Sequence, residues 1–330
     1  MSKRAIVSVT VAGSNITSTL MPVLTSLSVS DKVGTHADTA TLSIDDSNGR
    51  IILPEIGAPV TIALGWAGAG VRVVFEGTVD EVKSSGSRGA GRMLTITAKG
   101  VDTTAPPKQG QQRHFDDKTI EDILTEAGQA AGITTIEVDL ELASIRRTYV
   151  DMRDESFVHL GERLAREIGG NFRIQGKRAI LSKRDSSYSA AVTATWGVNL
   201  HAWDIAPQLG RTRFSAIRTR WYDTAMAEWK SVETATGLDV DATYADRLPR
   251  ATEDEANQQN ASDRATTKRD KGGGSVTIEG NTEAIPDGLC IIAGARPGID
   301  GAYRIDSVTH TFSRGGGFVS QLSLKQPTIG

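Results

Sequence analysis

Apolar and polar residues alternate through most of the first hundred positions, the period of half-buried strands. In "RAIVSVTVAG" (4–13), Val7, Val9 and Val11 fall on one face, and Ile6, Ser8 and Thr10 on the other. "LTSLSVSDK" (24–32) and "DTATLSIDD" (38–46) repeat the pattern, aligning Leu27 with Val29 and Leu42 with Ile44. "APVTIALGWAG", "VRVVFEGTVDEVKSSG" and "RMLTITAKGVD" add further strands. Asn48-Gly49 and the glycine-rich stretch 86–91 supply turns, because glycine tolerates positive φ. So many short strands predict an antiparallel barrel or sandwich, in which closure protects sheet edges.

The period then changes. Pro106-Pro107 and the polar residues after them read as a linker. In "DDKTIEDILTEAGQAAGI" (116–133), Ile120, Ile123, Leu124, Ala127 and Ala131 share one helical face. Thr119 and Asp122 form a capping pair, and Gly132 is the stop. "DESFVHLGERLAREIGG" (154–170) predicts a second helix, with Phe157, Leu160, Leu164 and Ile168 buried, Asp154 at its start and Gly169-Gly170 at its end. "NFRIQGKRAILSK" (171–183) follows as a hairpin, making the middle region α+β.

Strand patterns return near 190, among them "WKSVETATG" (229–237). Residues 252–270 read as a solvent-exposed polar helix, with Thr252 and Glu255 as a capping box. "GSVTIEG", "GLCIIAG" and a closing hairpin, "GAYRIDSVTHTFSRGGGFVSQLSL" (301–324), complete the chain. In that hairpin Tyr303 and Ile305 share a face, then Val308, His310 and Phe312; the odd step predicts a bulge near Ser307. Gly315-Gly316-Gly317 reverses the chain, and Phe318, Leu322 and Leu324 return along the sheet, closing a barrel. The expected architecture is mainly β with an α+β middle domain. An N-terminal barrel-like domain spans 1–104, the middle domain 105–189, and a C-terminal barrel-like domain 190–330, which carries the polar helix as an insertion.

Composition narrows the chemistry. Of 330 residues, 38% are hydrophobic and 23% charged, which fits a globular chain. The net charge of −3 provides no overall basic field, so no specific nucleic-acid binding is expected. Cys290 is the only cysteine, which rules out an intrachain disulfide; its apolar surroundings predict a buried structural thiol. There is no apolar run of 18 residues and no signal-peptide pattern, so folding in a reducing cytoplasm without membrane insertion is expected.

A search for catalysis finds little. The five histidines, His36, His114, His159, His201 and His310, form no HxH or HExxH unit. His201 and Asp204 are close in sequence, a common coincidence, and His310 reads as structural or interfacial. "GWAGAG" and "DKGGGSVTIEG" lack the order of phosphate loops, and no GxSxG elbow occurs. Asp45-Asp46 and Glu253-Asp254-Glu255 read as solvated turns or helix surface. No residue is nominated as catalytic, cofactor-binding or metal-ligating, and no cofactor is expected.

The order of these units resembles the phage late control protein D family, the baseplate hub proteins of contractile tails. The resemblance is carried by "VFEGTVDEV" (74–82), "KTIEDILTEAGQAAGI" (118–133), "DESFVHLGERLAREIGGNFRI" (154–174), and a C-terminal run through Gly301, Tyr303, Ile305, His310, Phe312, Gly317, Phe318, Leu322 and Leu324. Residues 200–270 contribute little to it. The resemblance implies a non-enzymatic homotrimer whose paired barrel-like tube domains face the tail tube while the opposite side receives the central spike. Neighbouring baseplate proteins would be further partners. The chain would be assembled in the bacterial cytoplasm and reside in the virion tail or a tail-like particle. Two other readings are a tail enzyme cleaving peptidoglycan or another glycan, which needs a cleft with separated carboxylates, and a host-surface binding module, which needs a concave polar or aromatic patch.

Overall fold

The computed structural model describes residues 3–32, 38–89, 91–100, 107, 109–175, 177–184, 191–207, 214–238, 240–269 and 272–326. The alternating N-terminal segments form β1 (Ala5–Val11), β2 (Ser14–Asn15), β3 (Leu24–Lys32), β4 (Thr39–Asp45), β5 (Pro59–Trp66), β6 (Gly70–Ser87) and β7 (Gly91–Lys99), with the short helix α1 (Thr17–Leu20) after β2. They are ordered β2-β1-β5-β6-β7-β4-β3, every neighbour antiparallel. The apolar faces meet as expected: Val7, Val9, Leu27, Val29, Leu42 and Ile44 lie in one core with Ile62, Leu64 and Leu94. β6 changes partner at Thr78, from β5 to β7. Gly77 permits that bend, since a Cβ there would lie 2.2 Å from the Lys99 carbonyl oxygen.

The middle unit contains β8 (Gly110–Thr119), α2 (Ile120–Ala130), β9 (Thr135–Val138), α3 (Leu140–Ala143), β10 (Arg146–Ser156), α4 (Phe157–Ile168), β11 (Gly170–Gln175) and β12 (Arg178–Lys183). β8 pairs with β10, and β11, β12 and β9 form a second sheet. The polar residues from Gly110 on, expected as linker, and Asp116–Thr119, read with the helix, are therefore one strand; Pro106 lies outside the described residues. β8 is almost wholly polar, and only Phe115 enters the core. At the start of α2, Thr119 and Asp122 form the expected capping box. The cap of α4 is Ser156, which accepts from the His159 N–H at 3.2 Å. Asp154 instead takes φ +51° at the bulge where β10 changes register against β8. Phe157, Leu160, Leu164 and Ile168 all face the core, where Phe157 meets Phe172 edge-on at 5.6 Å.

Beyond it lie β13 (Ala191–Thr195), β14 (Leu200–Ala206), β15 (Ala216–Asp223), β16 (Glu228–Ala235), β17 (Thr243–Ala245), α5 (Glu253–Arg269), β18 (Gly273–Glu279), β19 (Leu289–Ala293), β20 (Gly301–Ser313) and β21 (Gly317–Lys325). The C-terminal strands run β13-β19-β20-β21-β18-β14, and β20 also pairs with β3, so both β-rich regions share one 13-stranded sheet.

That sheet is open, which corrects the expectation of two barrels. In the N-terminal unit, closure would need a ladder between β1 and β3; the outer edge of β3 is instead taken by β20, from Ser26↔Ser313 to Lys32↔Ser307. In the C-terminal unit the end strands β13 and β14 are consecutive in sequence. The chain of parallel and antiparallel pairings makes them run in the same direction, separated by a kink at 196–199. One isolated bridge, Trp196↔Leu200, takes the place of a closing ladder. Asn199 holds this seam. Its side chain accepts from the Thr195 N–H at 2.8 Å and donates to the Thr193 carbonyl at 2.7 Å, while its own carbonyl accepts from the Glu279 N–H at 2.8 Å.

The final hairpin also differs from expectation. Its bulge falls between Ile305 and Ser307, as the period predicts. It bridges two cores, however, rather than closing one. Tyr303, Ile305, Val308, Leu322 and Leu324 pack in the C-terminal core, whereas Phe312 and Phe318 pack in the N-terminal one.

α5 is a helix but is not solvent-exposed throughout. It packs on the β16-β15-β17 sheet and against α4, burying Ala256, Gln259, Asn260 and Ser262. Each buried polar group finds a partner. Asn260 accepts from the Thr219 hydroxyl at 2.7 Å and donates to the Val232 carbonyl at 3.0 Å; Ser262 donates to the Arg166 carbonyl at 2.7 Å. Arg250 spans the seam, reaching Glu167 at 3.0 Å and Gln259 at 2.9 Å. Burial of this kind is favourable only because the hydrogen bonds are made.

Candidate functional site

Aromatic, polar and ionic contacts converge where the two β units meet. Phe318 lies at the centre of this junction, 2% exposed, with Trp66 at 5.6 Å and His310 at 5.8 Å between ring centroids. The Phe318 ring fits against Gly280, where a Cβ would fall 2.2 Å from it. Trp66 Nε1–H donates to the Gly280 carbonyl at 2.8 Å, tying β5 to the end of β18. Lys3 and Glu279 add an ion pair across the same boundary.

His310 is 5% exposed on β20. Its Nδ1 lies 2.8 Å from the Ser320 hydroxyl, which also accepts from the Asn281 N–H at 2.9 Å. The ring is thus hydrogen-bonded through Nδ1 to Ser320, with the Ala284 backbone beside it. A neutral imidazole satisfies this arrangement. Burial holds its pKa down at about 4, against the opposing pull of the Ala284 hydrogen bond. Because the folded pKa is below the ordinary 6.5, the contribution is complete above about pH 6.5 and is lost as pH falls towards 4. The full shift corresponds to about 3 kcal/mol. Urea denaturation at pH 7.5 and pH 4.5 should show a larger acid loss in the native chain than in His310→Gln, by about 2–3 kcal/mol. Equal losses would exclude a buried neutral His310.

Beside the junction is an open groove of about 650 Å³, lined by Lys3 and Trp66 from one unit and Thr193, Thr195, Asn199 and Glu279 from the other. Among the described residues Glu279 is the one carboxylate in its lining, and it is already paired with Lys3. Glycan hydrolysis by two carboxylates would need a second, several ångströms away.

The remaining sequence candidates disperse. Cys290 is buried, and burial pushes its thiol up to about 12, consistent with an inert core residue. His114 and His159 are exposed, each 3.6 Å from a carboxylate, Asp116 and Glu155. His201 and Asp204 are exposed on β14, and no hydrogen bond or ion pair is found between them among the described residues. His36 lies outside the described residues. Asp45 and Asp46 order a turn by accepting from the Ser47 and Arg50 N–H groups at 2.9 and 3.1 Å. "GWAGAG" turns β5 into β6. In "DKGGGSVTIEG", Gly272, Gly273 and Gly274 let backbones approach closely: a Cβ on any of them would fall within 2.4 Å of a carbonyl oxygen. No group of three metal-ligating side chains occurs among the described residues, and no helix is long and apolar enough to cross a membrane.

One pair escaped the sequence reading. Asp31 and Asp38, at the facing ends of β3 and β4, share a side-chain hydrogen bond near Arg173 of the middle unit. Burial, then the neighbouring Asp38, raises Asp31 well above the carboxylate range, so the pair holds a proton between them. The available signal was two aspartates seven positions apart in sequence, Asp31 and Asp38.

The comparisons agree with this picture of a chain organised around packing surfaces. A search of curated proteins finds 29% identity over 182 residues to the probable baseplate hub protein of Escherichia phage 186, covering 55% of this chain and 46% of that one. The probable baseplate hub protein of Escherichia phage P2 is 26% identical over 218 residues, covering 64% and 54%. The chain thus spans about half the length of the curated relatives it matches. Among solved structures, the tail protein from Neisseria meningitidis MC58 has the same fold, with a TM-score of 0.73 at 14% identity, over 99% of this chain and 98% of that one. The family model for the phage tail baseplate hub (GPD), a family of structural tail proteins rather than enzymes, matches residues 41–316. A match over that much of the sequence settles the family: the chain belongs to the phage tail baseplate hubs.

Proposed function

We propose that the chain is a structural adaptor in a phage tail or tail-like particle, working as a homotrimer that joins the tail tube to the central spike. The observation that carries this reading is the continuous sheet. β20 leaves the C-terminal core and pairs with β3 along its length, so two curved β units are fused into one body. A chain carrying two such units presents six in a trimer, a match for sixfold neighbours on one side and threefold ones on the other. Repeated heterologous contacts of this sort close into rings. The α+β unit and the β15–β17 sheet with α5 then supply surfaces towards the spike and neighbouring baseplate proteins.

Copy number and position in the intact particle test the proposal. Electron microscopy or quantitative mass spectrometry should find three copies on the tail axis between tube and spike. Six copies in a true sixfold ring, or a peripheral location, would overturn it. The isolated chain does not decide the question, because a ring can require its neighbours to close.

A further inference from the structure

The β6–β7 hairpin outruns the sheet that supports it. β5 accompanies β6 only as far as Thr78, and β4 accompanies β7 only from Met93 onward. Among the described residues the two strands pair only with each other at Gly86↔Arg92 and Ser87↔Gly91, and from Glu81 to Ser87 β6 pairs with no strand other than β7. One backbone bond from outside, the Asp46 N–H to the Arg92 carbonyl at 3.0 Å, touches the base of this arm. Residues 83–89, 91 and 92 are all exposed.

The composition of the arm explains why it does not hold itself by packing. From Lys83 to Arg92 the sequence has three serines, three glycines, one alanine and three cations, and no acid. Among the described residues no ion pair reaches Lys83, Arg88 or Arg92. A two-stranded ribbon is marginal in water without an apolar face, and free strand edges are templates for another chain. The three cations repel a basic or similarly charged edge and select an acidic one.

We propose that the β6–β7 arm docks on an acidic strand edge of a neighbouring tail protein, which extends the ribbon by backbone pairing while its carboxylates meet Lys83, Arg88 and Arg92. The free backbone edges favour a protein over a nucleic acid, which has no strand to add and would draw on only three cations from a chain of net charge −3. The proposal rests on the hub reading for the presence of such a neighbour.

The test uses particles assembled with the full chain. Zero-length carbodiimide coupling should join Lys83 to an aspartate or glutamate of a different protein, identified by mass spectrometry. Amides of residues 84–89 and 91–92 should exchange about tenfold or more slowly in the particle than in the isolated chain. Replacing Lys83, Arg88 and Arg92 together by serine should cut incorporation about tenfold, with the unfolding midpoint of the isolated chain unchanged. Coupling of Lys83 only to a second copy of this chain, or protection abolished by nuclease, would overturn the acidic-neighbour assignment. So would an arm that exchanges as freely in the particle as outside it, while the chain still sits on the tail axis; the hub reading then survives without it. A particle that lacks the chain overturns the hub reading and this proposal together.

Discussion

Phe318→Ala should destabilise the β body by about 3–5 kcal/mol, the range for emptying a buried aromatic site. The reason is the position of the ring. It is contributed by the C-terminal hairpin, is 2% exposed, and completes the N-terminal core beside Trp66. The cavity would have little means of collapse, because Gly280 and the β20–β3 ladder fix the backbone on two sides. Trp66, whose Nε1–H is bonded to Gly280, is a reporter at the same place. Urea denaturation followed by tryptophan fluorescence should show the transition moving to lower denaturant. Loss below about 1 kcal/mol would mean that the two β units do not depend on one another through this ring.

Leu164→Ala should act elsewhere in the molecule. Leu164 is fully buried on α4 among Phe157, Leu160, Ile168 and Phe172, and its truncation should cost about 2–5 kcal/mol. The effect should appear in amide exchange of α2 and α4 before it appears in the β20–β3 ladder, because the middle unit has a core of its own. A change below about 0.5 kcal/mol, the size of a surface substitution, would remove Leu164 from the core. Together the two variants separate the stability of the middle unit from that of the fused sheet. In a chain with several cores, one global midpoint is not a sufficient measure.

Where side-chain periodicity was strong, the elements were legible. Val7 and Val9, Leu42 and Ile44, and the stripe from Phe157 to Ile168 are buried on the faces that their spacing predicts. The Thr119–Asp122 cap and the bulge before Ser307 are likewise local features, set by residues within a few positions of each other. β8 was not legible, since a strand with one buried side chain, Phe115, has no apolar alternation to read. Asn260 and Gln259 on α5 look solvated in sequence, and they are buried only because Thr219, Val232 and Arg250 arrive from other elements to bond them. The burial of Cys290 was legible in its apolar neighbours. The junction around Phe318 was not, because its members, Trp66, Gly280, His310 and Ser320, are separated by up to 254 positions.

By itself, the sequence determined the local periods: strands in both β-rich regions, two amphipathic helices between them, turns at the glycines, and the late hairpin with its bulge. These follow from interactions between near neighbours and from which face of each element is apolar. Only the tertiary structure decided which edges pair. β3 satisfies its outer backbone groups with β20 instead of β1, and the kink at 196–199 keeps β13 from pairing with β14, so two expected barrels become one open sheet. A strand's alternation specifies which side is buried; its hydrogen-bonding edges carry no side-chain signature, and their partners are chosen by the packing of the whole chain.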